Sequence, residues 1–371
     1  IPSSSELLYG VHPRTGQRSP YPVVRVKNVV VFPGIPRLLE KAFDMLQHEF
    51  RNENAKFYSE KIYLISDEFE IAELLTDVQA KYQNAGVNIG SYPKLNHSYY
   101  KVKVTVDSIN QKAAHDAATE IRKELSDKVI LYDPEPLVDA PQKFEKYLDS
   151  MISLDPDYSK RIQDSLAVID KIFSEYKFDQ MGIAFNGGKD CTVLLHLLHV
   201  FLYRKFSAQE VEKLRWNVSY FKPQDPFEKL EEFIHDSVKR YPIDLREFRG
   251  GIKIGLQELR DSQPNILIQF LGTRRADPHG HLVDTVCWTD GDWPKFLRVS
   301  PLIGWHYRDI WRFLRDLYLP YCSLYDQGYT SMGSRQKTRP NESLKYTDNF
   351  GLKRYKPAYL LKDESLERYG R

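Results

Sequence analysis

The sequence has 371 residues, 42% of them hydrophobic and 28% charged, which fits ordinary packed cores and excludes a disordered chain; at ~100–200 residues per domain, two domains are expected. Lys and Arg total 53 against 51 Asp and Glu, a formal balance of +2, too even for a nucleic-acid partner, whose binding domains carry a basic face. The three cysteines, Cys191, Cys287 and Cys322, are far apart and suggest neither a disulfide framework nor a thiolate zinc site, so a reducing, cytoplasmic compartment is expected. No apolar run reaches the ~18 residues of a membrane span, so no membrane partner is expected. The first residue is Ile1, not Met, and no signal pattern follows it, which reads as a truncated or processed chain; an organellar form stays open.

Residues 1–22 read as an irregular lead-in, and Val24 to Phe32 as one strongly β-like strand. Residues 35–53 place Leu38, Leu39, Ala42, Phe43, Leu46 and Phe50 on one helical face. A strand at 61–65, a helix at 68–84 opened by Asp67 and Glu70 at capping-box spacing, a strand from Tyr99 to Val106, a helix at 110–128 and a strand at 129–132 complete a compact α/β unit. It spans residues 1–133. Prolines and several charges without a clear period make 134–159 the expected linker. Residues 160–371 form the second domain. There a helix at 161–176 precedes strand 181–185, an apolar helix at 190–205, strand 217–221, a helix to about 240, strand 243–248, a short helix at 252–261 and strand 266–271. Asp225, Pro226 and Glu228 read as the cap of the helix that ends near 240. Repeated β-α-β units predict an α/β fold with a doubly wound parallel sheet, preceded by the smaller α/β domain. Ligands of such sheets bind beyond the carboxyl ends of the strands.

Two loops lie at those ends. Asn186-Gly187-Gly188-Lys189-Asp190 joins strand 181–185 to its helix. Glycines let a backbone approach a ligand closely, and a helix N-terminus attracts anions. Lys189 adds a point charge, and Asp190 could orient it or position a metal. A bare Gly-Gly turn is equally a geometric device, and the spacing fits neither the Walker nor the dinucleotide fingerprint. The second loop, Gly272-Thr273-Arg274-Arg275-Ala276-Asp277-Pro278-His279, follows strand 266–271. Arginine grips phosphate bidentately and a carboxylate accepts from heterocycle N–H groups; alone, the loop is as readily a solvated charged one. Beyond it, Thr289-Asp290-Gly291-Asp292-Trp293-Pro294 sets a ring beside carboxylates, although a Trp in a turn is more often core. In 299–318, Tyr307, Ile310, Trp311, Leu314 and Leu317 keep helical spacing, so Trp311 reads as core and His306 as a cap or packing residue. Arg368 and Arg371 are three apart near the end; such a pair is usually solvated.

Strand–NGGKD–helix resembles the S-G-G-x-D-S phosphate loop of the ATP pyrophosphatase superfamily, with Asn186 and Cys191 in place of its serines. In detail, NGGKDC, G-x-R-x-x-D-P (Gly272, Arg274, Asp277, Pro278), T-D-x-x-W-P, PLIGWHYRDIW, the Gly-rich 322–334 and the E-R-x-G-R tail resemble eukaryotic FAD synthases, FMN adenylyltransferases of the PAPS-reductase-like fold. The resemblance covers about 160–371. It implies adenylyl transfer from ATP to the phosphate of FMN, giving FAD and pyrophosphate, with Mg²⁺ as cofactor. It implies that Asn186, Lys189 and Asp190 are catalytic and that, with Gly187 and Gly188, they hold the triphosphate. Gly272 and Arg274 would serve nucleotide or phosphate, Asp277, Asp290 and Trp293 the flavin, and Arg368 with Arg371 the FMN phosphate. Metal ligands are left unassigned, and client apo-flavoproteins are possible partners. Cys191 has no base partner and reads as packing rather than a nucleophile.

Residues 24–43 are similar to the second half of molybdopterin-binding domains of the MoaB/MogA type, a match over about 1–133. Such a domain precedes the synthase in animal-type enzymes, where it is associated with FAD hydrolysis, so a second activity in residues 1–133 stays open. A PAPS-reductase-like oxidoreductase is the main rival on this fold. It needs a nucleophilic cysteine in the tail, and none follows Cys322.

Overall fold

The computed structural model describes residues 4–12, 15–52, 56–94, 97–278 and 280–371. Ile1, Glu53 at the end of the first expected helix and His279 lie outside the described residues. The chain divides into two compact units, one of Ile1–Ile62, Ser66–Tyr92 and Lys103–Val129, the other of Tyr63–Ile65, Pro93–Val102 and Ile130–Arg371.

In the first unit, the β-rich run from Val24 to Phe32 is two antiparallel strands, Val23–Val26 and Val29–Val31, paired Val26 to Val29. The turn falls at Lys27-Asn28, inside an otherwise β-rich run, and Lys27 makes it by taking φ 54°. Helix Pro36–Leu46 follows. A four-stranded sheet has the order Asn88–Pro93, Val102–Ser108, Tyr58–Leu64, Val129–Ile130. Its first strand was not expected from sequence, because Asn88, Gly90 and Pro93 interrupt the pattern. Helix Gln111–Glu124 turns Ala113, Ala114, Ala117, Ala118 and Ile121 inward, and Asn110 caps it by accepting from the Ala113 N–H at 3.1 Å.

The second unit starts earlier than its sequence suggests. Residues 134–159, expected as a linker, contain helix α1 (Ala140–Leu154), which buries Phe144, Tyr147, Leu148 and Met151. Prolines at the N-terminal positions of this helix and of α2 (Pro156–Glu175) open helices rather than break them. The sheet consists of β1 (Met181–Ala184), β2 (Trp216–Phe221), β3 (Ile243–Phe248), β4 (Ile268–Phe270), β5 (Val286–Trp288) and β6 (Leu297–Val299). Its spatial order is β3-β2-β1-β4-β6-β5. All neighbours are parallel except β5, which pairs antiparallel with β6 at the edge.

Helix α3 (Lys189–Lys205) is apolar nearly all round and runs through the core. Its two histidines are buried and uncharged: burial, aided for His196 by His199, lowers them to about 3 and about 4 respectively. His196 Nδ1 lies 3.1 Å from the Tyr241 hydroxyl. The remaining long helices are α4 (Glu228–Arg240), α5 (Ile252–Ser262) and α6 (Tyr307–Asp316). The expected cap of α4 does not form. Phe227 is the N-cap, and Asp225 instead pairs with Arg335 at 2.9 Å. His306 does cap α6, in a reciprocal box in which its own N–H donates to Asp309 Oδ2 at 2.8 Å. Trp311 is core, 3% exposed.

Candidate active site at the sheet switch point

Strand order reverses between β1 and β4: from β1 the chain moves outward to β2 and β3, and β4 returns on its other side. Loops leaving two such strands diverge to opposite faces and open a crevice between them. The two loops singled out in the sequence are the ones that leave β1 and β4. They pack closely, since a Cβ at Gly272 would sit 2.9 Å from the Cys191 nitrogen. At Gly187, φ is +70°, and a Cβ would meet Leu230 Cδ1 at 2.8 Å, so both conformation and space require glycine there. Asn186 Oδ1 accepts the Gly188 N–H at 2.9 Å, and the Tyr325 hydroxyl accepts the Lys189 N–H at 2.8 Å.

Behind the loop lies a group of four charges. Lys189 Nζ donates to Asp190 Oδ2 at 3.0 Å and to Glu367 Oε1 at 2.6 Å. Arg274 places Nε 2.5 Å from Asp190 Oδ1 and donates from Nη2 to Glu367 Oε1 at 2.6 Å. Side-chain exposure is 3% for Lys189, 0% for Arg274, 8% for Glu367 and 19% for Asp190. Two cations and two anions thus neutralise one another where water cannot, which offsets the large desolvation cost of each. Burial opposes ionisation of Asp190, but Lys189 and Arg274 outweigh it and hold the carboxyl below its usual range. Burial likewise opposes the charge on Arg274, and Asp190 with Glu367 more than restores it.

A cleft of about 870 Å³ opens beside this group, within the range of small-molecule sites. Its floor is the sheet face where β1 and β2 carry small residues, Ala184 and Ser219. Asn186, Gly188, Lys189 and Asp190 line it from the first loop, and Gly272 and Asp277 from the second. Asp290, Trp293, Arg368 and Arg371 complete the wall. Ten of the twelve residues singled out in the sequence therefore meet in one cavity. The other two stand behind it: Gly187 faces Leu230 and Ile234, and Arg274 lines a neighbouring cavity of about 120 Å³ with Tyr307 and Glu364.

Both oxygens of Asp277 are engaged. Oδ2 accepts the Arg274 N–H and Oδ1 accepts Arg368 Nη2, each at 2.8 Å. The carboxylate expected against the flavin ring therefore shapes its own loop and holds a tail arginine. Arg371 Nη1 donates to Ser331 Oγ at 3.2 Å. Trp293 is half-buried against the apolar cluster that contains Phe248, Leu256 and Phe296, with Lys253 over its ring at 5.7 Å. Asp290 is 73% exposed and 3.7 Å from Arg298.

Cys191 also lines the cleft, but burial, with Asp190 beside it, pushes its thiol up to about 12. A protonated thiol is a poor nucleophile. Cys191→Ser is therefore expected to keep turnover within ~2-fold of the parent at pH 8, measured as steady-state product formation. A loss of two orders of magnitude would restore the thiol as a reacting group.

Sequence reasoning missed Tyr325 and Glu367. The first sat in the Gly-rich segment 322–334, noted only for its resemblance. The second stood beside two arginines that drew the attention, and an acid next to basic residues near a chain end gives no sign of burial.

The comparisons with known proteins agree with this geometry. Residues 56–134 match the family model described as FAD synthase, middle domain, and 253–340 match the phosphoadenosine phosphosulfate reductase domain. A probable FAD synthase of Caenorhabditis elegans is 36% identical over 376 residues, covering 100% of this chain and 72% of the relative. One of Schizosaccharomyces pombe is 37% identical over 213 residues, covering 57% of this chain and 78% of the relative. The crystal structure of Candida glabrata FMN adenylyltransferase in complex with FAD and inorganic pyrophosphate superposes with a TM-score of 0.57 at 25% identity, over 63% of this chain and 97% of that one. With a relative this similar matched along the whole chain, and with both strand-end loops of the fold closing on one cleft, the chain belongs to the FAD synthase family.

Proposed function

We propose that this cleft transfers the adenylyl group of ATP to the phosphate of FMN, releasing pyrophosphate and FAD. The observation that carries the reading is that the loop of residues 186–190 and the two tail arginines, 178 or more positions apart in sequence, line one cavity at the switch point of the sheet. A phosphate oxygen of FMN attacks the α-phosphorus of ATP. The new P–O bond forms as the bond to the β-phosphate oxygen breaks, and the electron pair leaves with pyrophosphate. Both substrates are anions, so catalysis here is positioning and charge neutralisation. Arg368 and Arg371 hold the FMN phosphate; the turn of Gly187 and Gly188 and the start of α3 receive the triphosphate; Trp293 and Asp290 border the flavin.

Among the described residues no three His, Cys, Asp or Glu side chains converge on a metal position. Asp190, the acid of the loop, would hold the proposed Mg²⁺ together with the triphosphate, and the ion would supply charge neutralisation for the leaving pyrophosphate. A reducing compartment suits three free cysteines, and apo-flavoproteins would receive the product.

Arg371→Ala tests the assignment. It should raise KM for FMN by ~10-fold or more and KM for ATP by less than ~2-fold. Equal effects on both substrates in steady-state assays would remove the phosphate clamp from the reading.

A further inference from the structure

The last eight residues, from Glu364 to Arg371, are a built-in strap rather than a loose end. Glu364 accepts from the Tyr307 and Arg308 N–H groups at the start of α6, at 3.0 and 3.3 Å. Asn341 Nδ2 donates to the Leu366 carbonyl at 2.7 Å and to Thr330 Oγ1 at 2.9 Å. Thr330, itself 2% exposed, donates to the Glu367 carbonyl at 2.6 Å. The Arg339 N–H donates to the Gly370 carbonyl at 2.7 Å. Through its side chain, Glu367 then reaches Lys189 and Arg274, while the next residue, Arg368, turns to Asp277 and the cleft.

We infer that Glu367 is a positioning residue that ties the two substrate sites together: its carboxylate seats the strap on Lys189 and Arg274, and so fixes Arg368 and Arg371 where the FMN phosphate must sit. This rests on the reading of the cleft as an ATP and FMN site. It has a consequence that a merely structural carboxylate would lack. The side-chain ion pairs of Glu367 are on the nucleotide side, yet the site it orients is on the flavin side. Replacing Glu367 by Gln keeps the shape and removes one of the two anions that neutralise Lys189 and Arg274. The strap loses its strongest anchor, and the nucleotide loop becomes more positive toward a triphosphate.

The test is the split between the two Michaelis constants in Glu367→Gln, with Thr330→Val as a second variant that loosens the strap's main chain and leaves the four charges intact. In Glu367→Gln, KM for FMN should rise ~10-fold or more, while KM for ATP stays within ~2-fold or falls. In Thr330→Val, KM for FMN should rise by a smaller factor and KM for ATP should not move. FMN binding without ATP, followed by quenching of flavin fluorescence, should weaken in both, which gives a readout independent of turnover. Thermal melting identifies a Glu367→Gln protein that fails to fold, in which case Thr330→Val decides. Equal rises in both constants, or no change in that for FMN, would overturn the inference. A parent enzyme that makes no FAD from FMN and ATP would instead refute the reading beneath it.

Discussion

Asp190→Asn should lower kcat/KM for FAD formation by roughly 10²–10³-fold, as expected when a charged group that organises an active site loses its charge. The side chain is nearly isosteric, so shape is kept. What changes is that the carboxylate bridging Lys189 Nζ and Arg274 Nε becomes a neutral amide, leaving two buried cations with Glu367 as their remaining anion. Lys189 then has one partner instead of two, and the first turn of α3 loses the acid beside the incoming triphosphate. Steady-state kinetics against both substrates check this, with circular dichroism to confirm the fold. Turnover near that of the parent would remove Asp190 from the catalytic group.

Arg274→Met should be the most destabilising of the substitutions considered. The guanidinium is fully buried and, among the described residues, shares with Lys189 alone the contact with both Asp190 and Glu367. Methionine fills much of the volume but leaves two carboxylates with one ammonium. Breaking a buried ion pair from one side costs about 3–5 kcal/mol, which for a domain of this size corresponds to a fall in Tm of roughly 10 °C. Calorimetry or a thermal melt measures it. A melting temperature within ~2 °C of the parent would mean that the four-charge group contributes little to holding the strap.

The second domain was legible because its signals are local. β-branched and aromatic runs marked the first four strands, glycines marked the loops, and both loops fall where a doubly wound sheet opens its crevice. The misreadings have physical causes as well. In residues 134–159 prolines suggested a linker, yet Pro141 and Pro156 sit at helix starts, where a missing N–H costs nothing. β5, three residues at the sheet edge, shows no period. Asp225 looked like a cap because capping is a sequence pattern, whereas its pairing with Arg335 is a matter of tertiary approach. Ten of the twelve residues read from the sequence line the cleft, but their mutual contacts were not legible. Nothing in G-x-R-x-x-D-P says that the arginine turns inward to face Glu367 or that the aspartate turns to Arg368. Those choices depend on the strap, which lies about 90 positions further along the chain.

The central claim is that one cleft brings an FMN phosphate oxygen directly onto the α-phosphorus of ATP. Incubating the protein with ATP, Mg²⁺ and FMN labelled with ¹⁸O on its phosphate, and weighing the products by mass spectrometry, tests it without a variant. The account requires FAD and pyrophosphate in equal amounts, with all the label in FAD. Absence of FAD, or ¹⁸O appearing in pyrophosphate, would contradict it.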